Sequence, residues 1–287
     1  MDQLPEGLRP GGRFAQWRRV LPRYAVVDVD GTLLGAGHHP TVPAIAAAHA
    51  CRAAGLQLGL ATGRMPAAVA ELAATLRADG PHVVHNGAEV WAAGGLLAAW
   101  PLPVEAAARM RRLCAQRRLY AEFYLGDGYW VSERLPAAAR HWELLRKAPD
   151  GDVVDLDEAA PVLKATVILF GEDPAPVLNA LRAAGLNCGI AHAPALPEAS
   201  FLNVTHPEAD KGRALAVAAA HAGAAMDEVV AVGDGLNDLS MLAVVGTAIA
   251  MGQAPEAVRA AAHLVVPEFD ADGVAHALRA IAAWASG

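Results

Sequence analysis

The stretch Tyr24-Ala25-Val26-Val27 is apolar at every position and runs directly into Asp28-Val29-Asp30-Gly31-Thr32. A strand that is apolar throughout, not at alternate positions, needs cover on both faces, which is the situation of a strand inside a parallel sheet. In an open α/β sheet, ligands bind in the crevice at the carboxyl ends of the strands. Side chains two apart on an extended segment point the same way, so Asp28 and Asp30 would present two carboxylates there. Two like charges held that close are costly unless a cation, a proton or a shared task compensates them. Taken by itself, the stretch is also compatible with a loop carrying a surface acid pair.

The flanking sequence repeats the pattern. Thr41 to Ala54 is an alanine-rich helical segment, with Thr41 as N-cap, Pro43 in the first turn and Gly55 as its stop. Leu56 to Ala61 reads as a second strand ending at Thr62-Gly63-Arg64, Pro66 to Ala78 as a helix, and His82 to His85 as a third strand ending at Asn86-Gly87. Strand alternating with helix implies right-handed βαβ units and a parallel sheet. The rhythm then changes to hairpins and short helices. Glu89–Trp91 and Leu96–Trp100 form a hairpin across Gly94-Gly95, and further strands are expected at 120–124, 129–132, 164–170, 187–192 and 201–205. From Glu208 the first rhythm resumes, with a helix from Lys211, the apolar strand Val229–Gly233, and alternating elements to the end. The expected organisation is an α/β parallel-sheet core domain (24–87 and 204–287) interrupted by an inserted α+β domain (88–203), preceded by an N-terminal leader (1–23).

Length and composition narrow the function classes. A chain of 287 residues is long for one compact core, and 54% hydrophobic residues against 18% charged excludes a disordered chain. A formal net charge of -7 argues against a nucleic-acid surface. No stretch approaches the ~20 uninterrupted apolar residues of a membrane span. Residues 1–23 carry Arg9, Arg13, Arg18 and Arg19 among Pro and Gly and no apolar signal-peptide region, so a frayed leader on a cytoplasmic protein is expected. Cys51, Cys114 and Cys188 lie far apart with no Cys-x-x-Cys pair, which fits a reducing compartment.

Four polar clusters fall just after expected parallel strands or at a helix start: Asp28/Asp30, Thr62-Gly63, Lys211, and Gly233-Asp234-Gly235-Leu236-Asn237-Asp238. Each has a dull explanation singly, as a turn, a solvated lysine or an N-cap. Together they converge on one rim of one sheet. The motifs Asp-Val-Asp-Gly-Thr-Leu (28–33), Ala-Thr-Gly-Arg (61–64), Asn-Gly-Ala (86–88), Asp-Lys-Gly (210–212), Gly-Asp-Gly-Leu-Asn-Asp-Leu-Ser-Met-Leu (233–242) and Ala-Met-Gly (250–252) resemble those of the haloacid dehalogenase-like phosphohydrolases. Within that superfamily the resemblance is to the Cof-type branch with a large α/β cap. It covers nearly everything from Tyr24 onward; the cap matches in pattern only.

That resemblance implies a Rossmann-like core with the inserted domain closing over it as a cap, and a phosphatase acting through an aspartyl-phosphate. Asp28 would be the nucleophile, and Asp30 would protonate the leaving oxygen and then take a proton from water. Dehalogenases of the superfamily lack an acid at the second position, because a halide leaves without a proton, so Asp30 points to phosphoryl transfer. Mg²⁺ would be held by Asp28, the backbone carbonyl of Asp30 and Asp234, with Asp238 acting from behind or through water. Thr62, Gly63 and Lys211 would hold the phosphoryl oxygens, with Asn237 orienting that group. Arg64 leans to a structural role, and Asn86 is open between loop staple and substrate contact.

The partner implied is a small phosphorylated metabolite, with sugar phosphates ahead of nucleotide- or vitamin-related phosphates. No nucleic acid or membrane is implied, and the chain is expected as a monomer or weak homodimer. A phosphomutase on the same chemistry, or a non-catalytic phosphometabolite-binding protein, are the competing readings. His38-His39 lacks the further ligands a zinc site needs. Trp91, Trp100, Trp130 and Trp142 read as cap core, and Tyr124, Asp127 and His192 sit near cap turns without an assignable role.

Overall fold

The computed structural model describes residues 4–37, 39–193 and 195–286. In chain order the first part comprises β1 (Arg9–Pro10), β2 (Tyr24–Asp28), α1 (Val42–Ala53), β3 (Gln57–Ala61), α2 (Pro66–Leu76), β4 (His82–Val84), β5 (Glu89–Ala92) and β6 (Gly95–Ala99). A middle part follows with α3 (Val104–Arg117), β7 (Ala121–Leu125), β8 (Gly128–Val131), α4 (Ala139–Leu145), β9 (Gly151–Asp152), β10 (Lys164–Phe170), α5 (Ala175–Ala183), β11 (Cys188–Ala193) and β12 (Leu196–Thr205). The chain closes with α6 (Lys211–His221), β13 (Val229–Gly233), α7 (Leu239–Val244), β14 (Thr247–Ala250), α8 (Glu256–Ala261), β15 (Leu264–Val265) and α9 (Gly273–Ala285).

Two sheets result. The larger has nine strands in the order β1-β15-β14-β13-β2-β3-β4-β5-β6, parallel from β15 to β4 and antiparallel at both edges. Alternate residues of β2 enter opposite hydrophobic clusters, Ala25 and Val27 on one face and Tyr24 and Val26 on the other. The first face is covered by α1, α2 and α9 through Ala48, Cys51, Leu72, Leu76, Leu278 and Ile281. The second is covered by α6, α7 and α8 through Leu215, Ala218, Met241, Leu242 and Val258. Small alanines let these helices lie close to the sheet, which is where much of the chain's apolar share is used. Thr41 caps α1, its side chain accepting from the Ala44 amide at 3.3 Å.

From β2 the chain proceeds through β3 and β4 to one side, and later through β13, β14 and β15 to the other. The strand order therefore reverses between β2 and β13, so the crevice of this sheet opens at their carboxyl ends, at Asp28 and Asp234.

The six-stranded sheet, β11-β12-β10-β7-β8-β9, has its own cores. On one face Ala165, Val167 and Leu169 of β10 pack with α3 and α5; on the other, Ile168 packs with Tyr124, Tyr129, Val131 and Phe201. Its link to the larger sheet includes Ala67 N–H donating to Asp127 Oδ1 at 2.7 Å, His85 Nε2 donating to Gly126 O at 2.9 Å, and an Arg146–Glu71 ion pair at 2.7 Å.

Two expectations need correction. The hairpin at residues 89–99, assigned from sequence to the inserted domain, is hydrogen-bonded into the larger sheet, with His82 opposite Trp91 and Val84 opposite Glu89. Its cause is the turn after β4, where His85, Asn86 and Gly87 take φ values of 51°, 58° and 95° and fold the chain back beside its own strand. Trp91 and Trp100 accordingly pack against the larger sheet's clusters. The leader, expected to fray, is instead ordered from residue 4 onward along the sheet edge, its first three residues lying outside the described residues. There β1 pairs with β15, Trp17 Nε1 donates to Thr247 Oγ1 at 2.9 Å, and the Trp17 ring lies 5.7 Å from that of Trp284. Trp17→Ala is therefore expected to lower unfolding stability by about 2 kcal/mol in denaturant titration, a half-buried version of a core aromatic truncation. A detached leader would give no change.

Candidate active site

Asp28 is the last residue of β2 and is buried, 5% exposed. The chain then turns through Gly31, whose φ of 94° favours glycine and whose missing Cβ leaves room for the Asp234 carboxylate. Thr32 Oγ1 donates to Asp234 Oδ1 at 2.8 Å, tying the β2 loop to the loop after β13 across the strand-order reversal. On the other side, β3 delivers Thr62, fully buried, and Gly63.

Lys211, the first residue of α6, is fully buried and donates to Asp28 Oδ1 and Asp238 Oδ1, both at 2.6 Å. Asp210 caps that helix by accepting from the Gly212 and Arg213 amides at 2.8 and 3.0 Å, which fixes where Lys211 leaves the backbone. A cation in a first helical turn opposes the helix dipole, and the two carboxylates outweigh that cost. Asp238 Oδ2 accepts from the backbone amides of Asp234 and Gly235 at 3.0 and 2.8 Å, so both of its oxygens are engaged.

The electrostatics follow from burial. Asp28, Asp234 and Asp238 offer oxygens all within 4.8 Å of one another. Burial, then repulsion from Asp238, raises the Asp28 carboxyl well above its usual range, against the pull of Lys211. Burial and Asp238 push Asp234 up to about 7. Burial alone would lower the Lys211 ammonium, but Asp238 and Asp28 outweigh it and hold it above its ordinary value. Three carboxyl groups therefore gather about one lysine, which bonds to two of them. The donors are all hard oxygens, and Asp28 Oδ2 and Asp234 Oδ2 take part in no hydrogen bond among the described residues. This donor set fits an octahedral hard cation such as Mg²⁺, and the fully engaged Asp238 fits an outer position.

The remaining expected residues gather at the same rim. Arg64 clasps Asp30 with two bonds, Nη2 to Oδ1 at 2.6 Å and Nε to Oδ2 at 3.1 Å. Asn237 Nδ2 donates to Asn86 Oδ1 at 3.2 Å, and that same oxygen lies 2.9 Å from where a Cβ on Gly63 would sit. Asn86 thus staples the loops after β4 and β13 beside Gly63. His39 is exposed and takes no part, and His38 lies outside the described residues.

Between these residues and the six-stranded unit lies a cavity of about 310 Å³, within the usual range for a small-molecule site. Asp28, Asp30, Gly63, Asn86, Asp234 and Asn237 line its floor; Tyr124, His141, Leu144, Lys164, Ile190 and Phe201 are among the residues of its roof. His192 also lines it, whereas Asp127 is spent on the α2 amide. The sequence reading did not single out Lys164, Thr166 or His141. A signal existed for the first two: in Lys-Ala-Thr-Val-Ile-Leu-Phe (164–170) the polar residues alternate with apolar ones, marking a strand whose second face meets something polar. For His141 no local signal exists, because it lines the cavity in a position fixed by a distant residue, Glu122, whose Oε1 it meets at 3.1 Å.

The family model for haloacid dehalogenase-like hydrolases matches residues 25–278. The chain is 28% identical over 270 residues to the pyridoxal phosphate phosphatase YbhA of Escherichia coli strain K12, covering 88% of this chain and 96% of that protein. It superposes on a haloacid dehalogenase subclass IIB sugar phosphatase with a TM-score of 0.76 at 25% identity, covering 90% of this chain and 98% of the other. A haloacid dehalogenase-like hydrolase from Bacteroides thetaiotaomicron gives a TM-score of 0.76 at 27% identity with the same coverage. Among the described residues no helix is long and apolar enough to cross a membrane.

Two outcomes test the electrostatics. Lys211→Met leaves Asp28 and Asp238 without their cation and should cost about 3–5 kcal/mol of unfolding stability in metal-free buffer. In EDTA, the folded protein holds a proton on Asp234 more tightly than the unfolded chain does. Stability is therefore expected to be full below pH 4 and to fall as pH rises through about 7, within the limits set by other groups. Asp234→Asn should flatten that part of the pH dependence of the melting temperature, as should saturating Mg²⁺.

Proposed function

The chain belongs to the haloacid dehalogenase-like hydrolases, and from that membership we propose that it is a Mg²⁺-dependent phosphatase of small phosphomonoesters. The observation that carries the reading is the constellation of Asp28, Asp234 and Asp238 around the buried Lys211, at the floor of the cavity. A phosphate monoester needs a nucleophile, neutralisation of its negative charge and proton management. Asp28 attacks phosphorus through a carboxylate oxygen and forms the aspartyl-phosphate as the bond to the alcohol oxygen breaks. Asp30 gives a proton to that oxygen, then accepts one from the water that hydrolyses the acyl phosphate; both of its oxygens pair with Arg64 in this structure, so it leaves that guanidinium to do either.

Lys211, the Thr62 hydroxyl, the Gly63 amide and Asn237 hold the phosphoryl oxygens in line with Asp28. Asp28, the Asp30 carbonyl and Asp234 would hold Mg²⁺, with Asp238 keeping Lys211 and the Asp234 loop in position. When bound, the ion supplies the positive charge that offsets two anions meeting at short range. The roof unit excludes bulk water while the phosphoryl group moves.

The roof also bears on the alcohol. Its apolar share, including Tyr124, Leu144, Leu145, Ile190 and Phe201, would desolvate sugar hydroxyls without pairing them, which is costly. That supports a flat, vitamin-type ring phosphate over the sugar phosphate expected from sequence. The relative named for pyridoxal phosphate points the same way, while the sugar phosphatase likeness supports the alternative.

The test is phosphate release from hexose phosphates, pyridoxal 5′-phosphate and phenyl phosphate, with Mg²⁺ and with EDTA. Turnover should require the metal and fall at least about a thousandfold in Asp28→Asn, as for loss of a nucleophile. Faster release from the ring phosphates would support the roof argument. No release from any ester by folded, Mg²⁺-loaded protein would overturn the phosphatase reading.

A further inference from the structure

Neither the motifs nor the mechanism above uses Lys164. It opens β10 on the same strand face as Thr166, lines the cavity, and is only 6% exposed. Its ammonium donates to the Gly63 carbonyl at 2.8 Å and stands 4.2 Å from the centre of the Tyr124 ring, its cross-strand neighbour on β7. Among the described residues no carboxylate forms an ion pair with it. The two nearby acids are committed elsewhere. Glu122 accepts from Tyr120, Tyr124 and His141, and Asp30 is clasped by Arg64.

A buried ammonium without a counter-charge is expensive, and a carbonyl and a ring face offset only part of that cost. Burial accordingly brings the Lys164 amine down to about 8, opposed weakly by Glu122 and Asp30. The contrast with Lys211 is direct, since that ammonium already meets two carboxylates at 2.6 Å. The cavity therefore holds one lysine whose charge is answered and one whose charge is not.

We propose that Lys164 binds the phosphoryl group of the substrate, supplying from the roof the positive charge that the doubly paired Lys211 supplies only in part. Its hydrogen bond to Gly63 sets it at the phosphoryl end of the cavity, because the amide of that same residue is a proposed phosphoryl donor. Seating of the six-stranded unit and binding of the phosphoryl group are then one linked event, as the lysine reaches the site only when its sheet is in place. The inference rests on the reading of this cavity as a phosphoryl site, but its test needs no turnover.

Inorganic phosphate is titrated calorimetrically into the Mg²⁺-loaded wild type, Lys164→Gln and Lys164→Arg, with circular dichroism and melting to confirm folding. Glutamine keeps a donor for the Gly63 carbonyl and removes the charge; Lys164→Met repeats the measurement should glutamine fold poorly. The dissociation constant is expected to rise about tenfold in Lys164→Gln, the worth of a charge-assisted hydrogen bond, and to recover most of that in Lys164→Arg. The KM for phenyl phosphate should rise in parallel while kcat changes less. An unchanged dissociation constant in a folded glutamine variant would overturn the proposal, as would equal losses in glutamine and arginine with a lowered melting temperature. A loss confined to esters with a second anion in the alcohol portion would also overturn it, assigning the amine to the leaving group. Phosphate binding with the expected dependence, but no hydrolysis of any ester, would leave Lys164 in place and remove the phosphatase reading alone.

Discussion

The site depends on one buried ammonium. Lys211 joins the end of β2, through Asp28, to the helix start after β13, through Asp238. These are the two strands between which the order of the sheet reverses, and no continuous hydrogen-bond ladder crosses from one loop to the other beyond their ends. A single charge shared between two carboxylates closes that gap. Asp238 extends the link by accepting the Asp234 and Gly235 amides, and Asp234 by accepting the Thr32 hydroxyl. Removing water from these groups is costly, and the ion pairs repay it only while every partner is present. The arrangement gathers three carboxyl groups about one ammonium, a condition a structural core would avoid and a bound cation would relieve.

The six-stranded unit contributes in a different way. Strand alternation gives β7 and β10 an apolar face against α3 and α5 and a mixed face toward the cavity, where Tyr124, Lys164 and Thr166 stand. Behind that face Glu122 holds Tyr120, Tyr124 and His141 in fixed positions; burial would raise its carboxyl, but His141 and the two tyrosine hydroxyls bring it below its ordinary value. The roof is thus rigid in its polar parts and apolar in the rest. The floor carries the motifs of a large family, whereas on the proposed reading the roof bears on which alcohol is admitted and how the substrate's charge is met. Fold alone does not fix that choice.

Legibility of the chain followed the range of the interactions involved. The apolar run before Asp28, the helix from Lys211 and the strand from Lys164 to Phe170 were readable because burial on both faces, helical spacing and β-branched runs are local properties. The edge pairing of Arg9–Pro10 was not, since two residues carry no periodicity. Nor was the membership of residues 89–99, because a hairpin looks the same in either sheet until its partner strand is known.

What the sequence determined by itself was the parallel-sheet architecture and the identity of the floor residues, because motifs at strand ends are short, contiguous and tied to the chain's own turns. Tertiary structure alone decided that Lys211 serves two carboxylates at once, that Asn86 staples Asn237 beside Gly63, and that Lys164 reaches Gly63 across 101 residues of chain. Charge balance in a buried site is a sum over groups brought together from distant segments, and no stretch of sequence contains that sum.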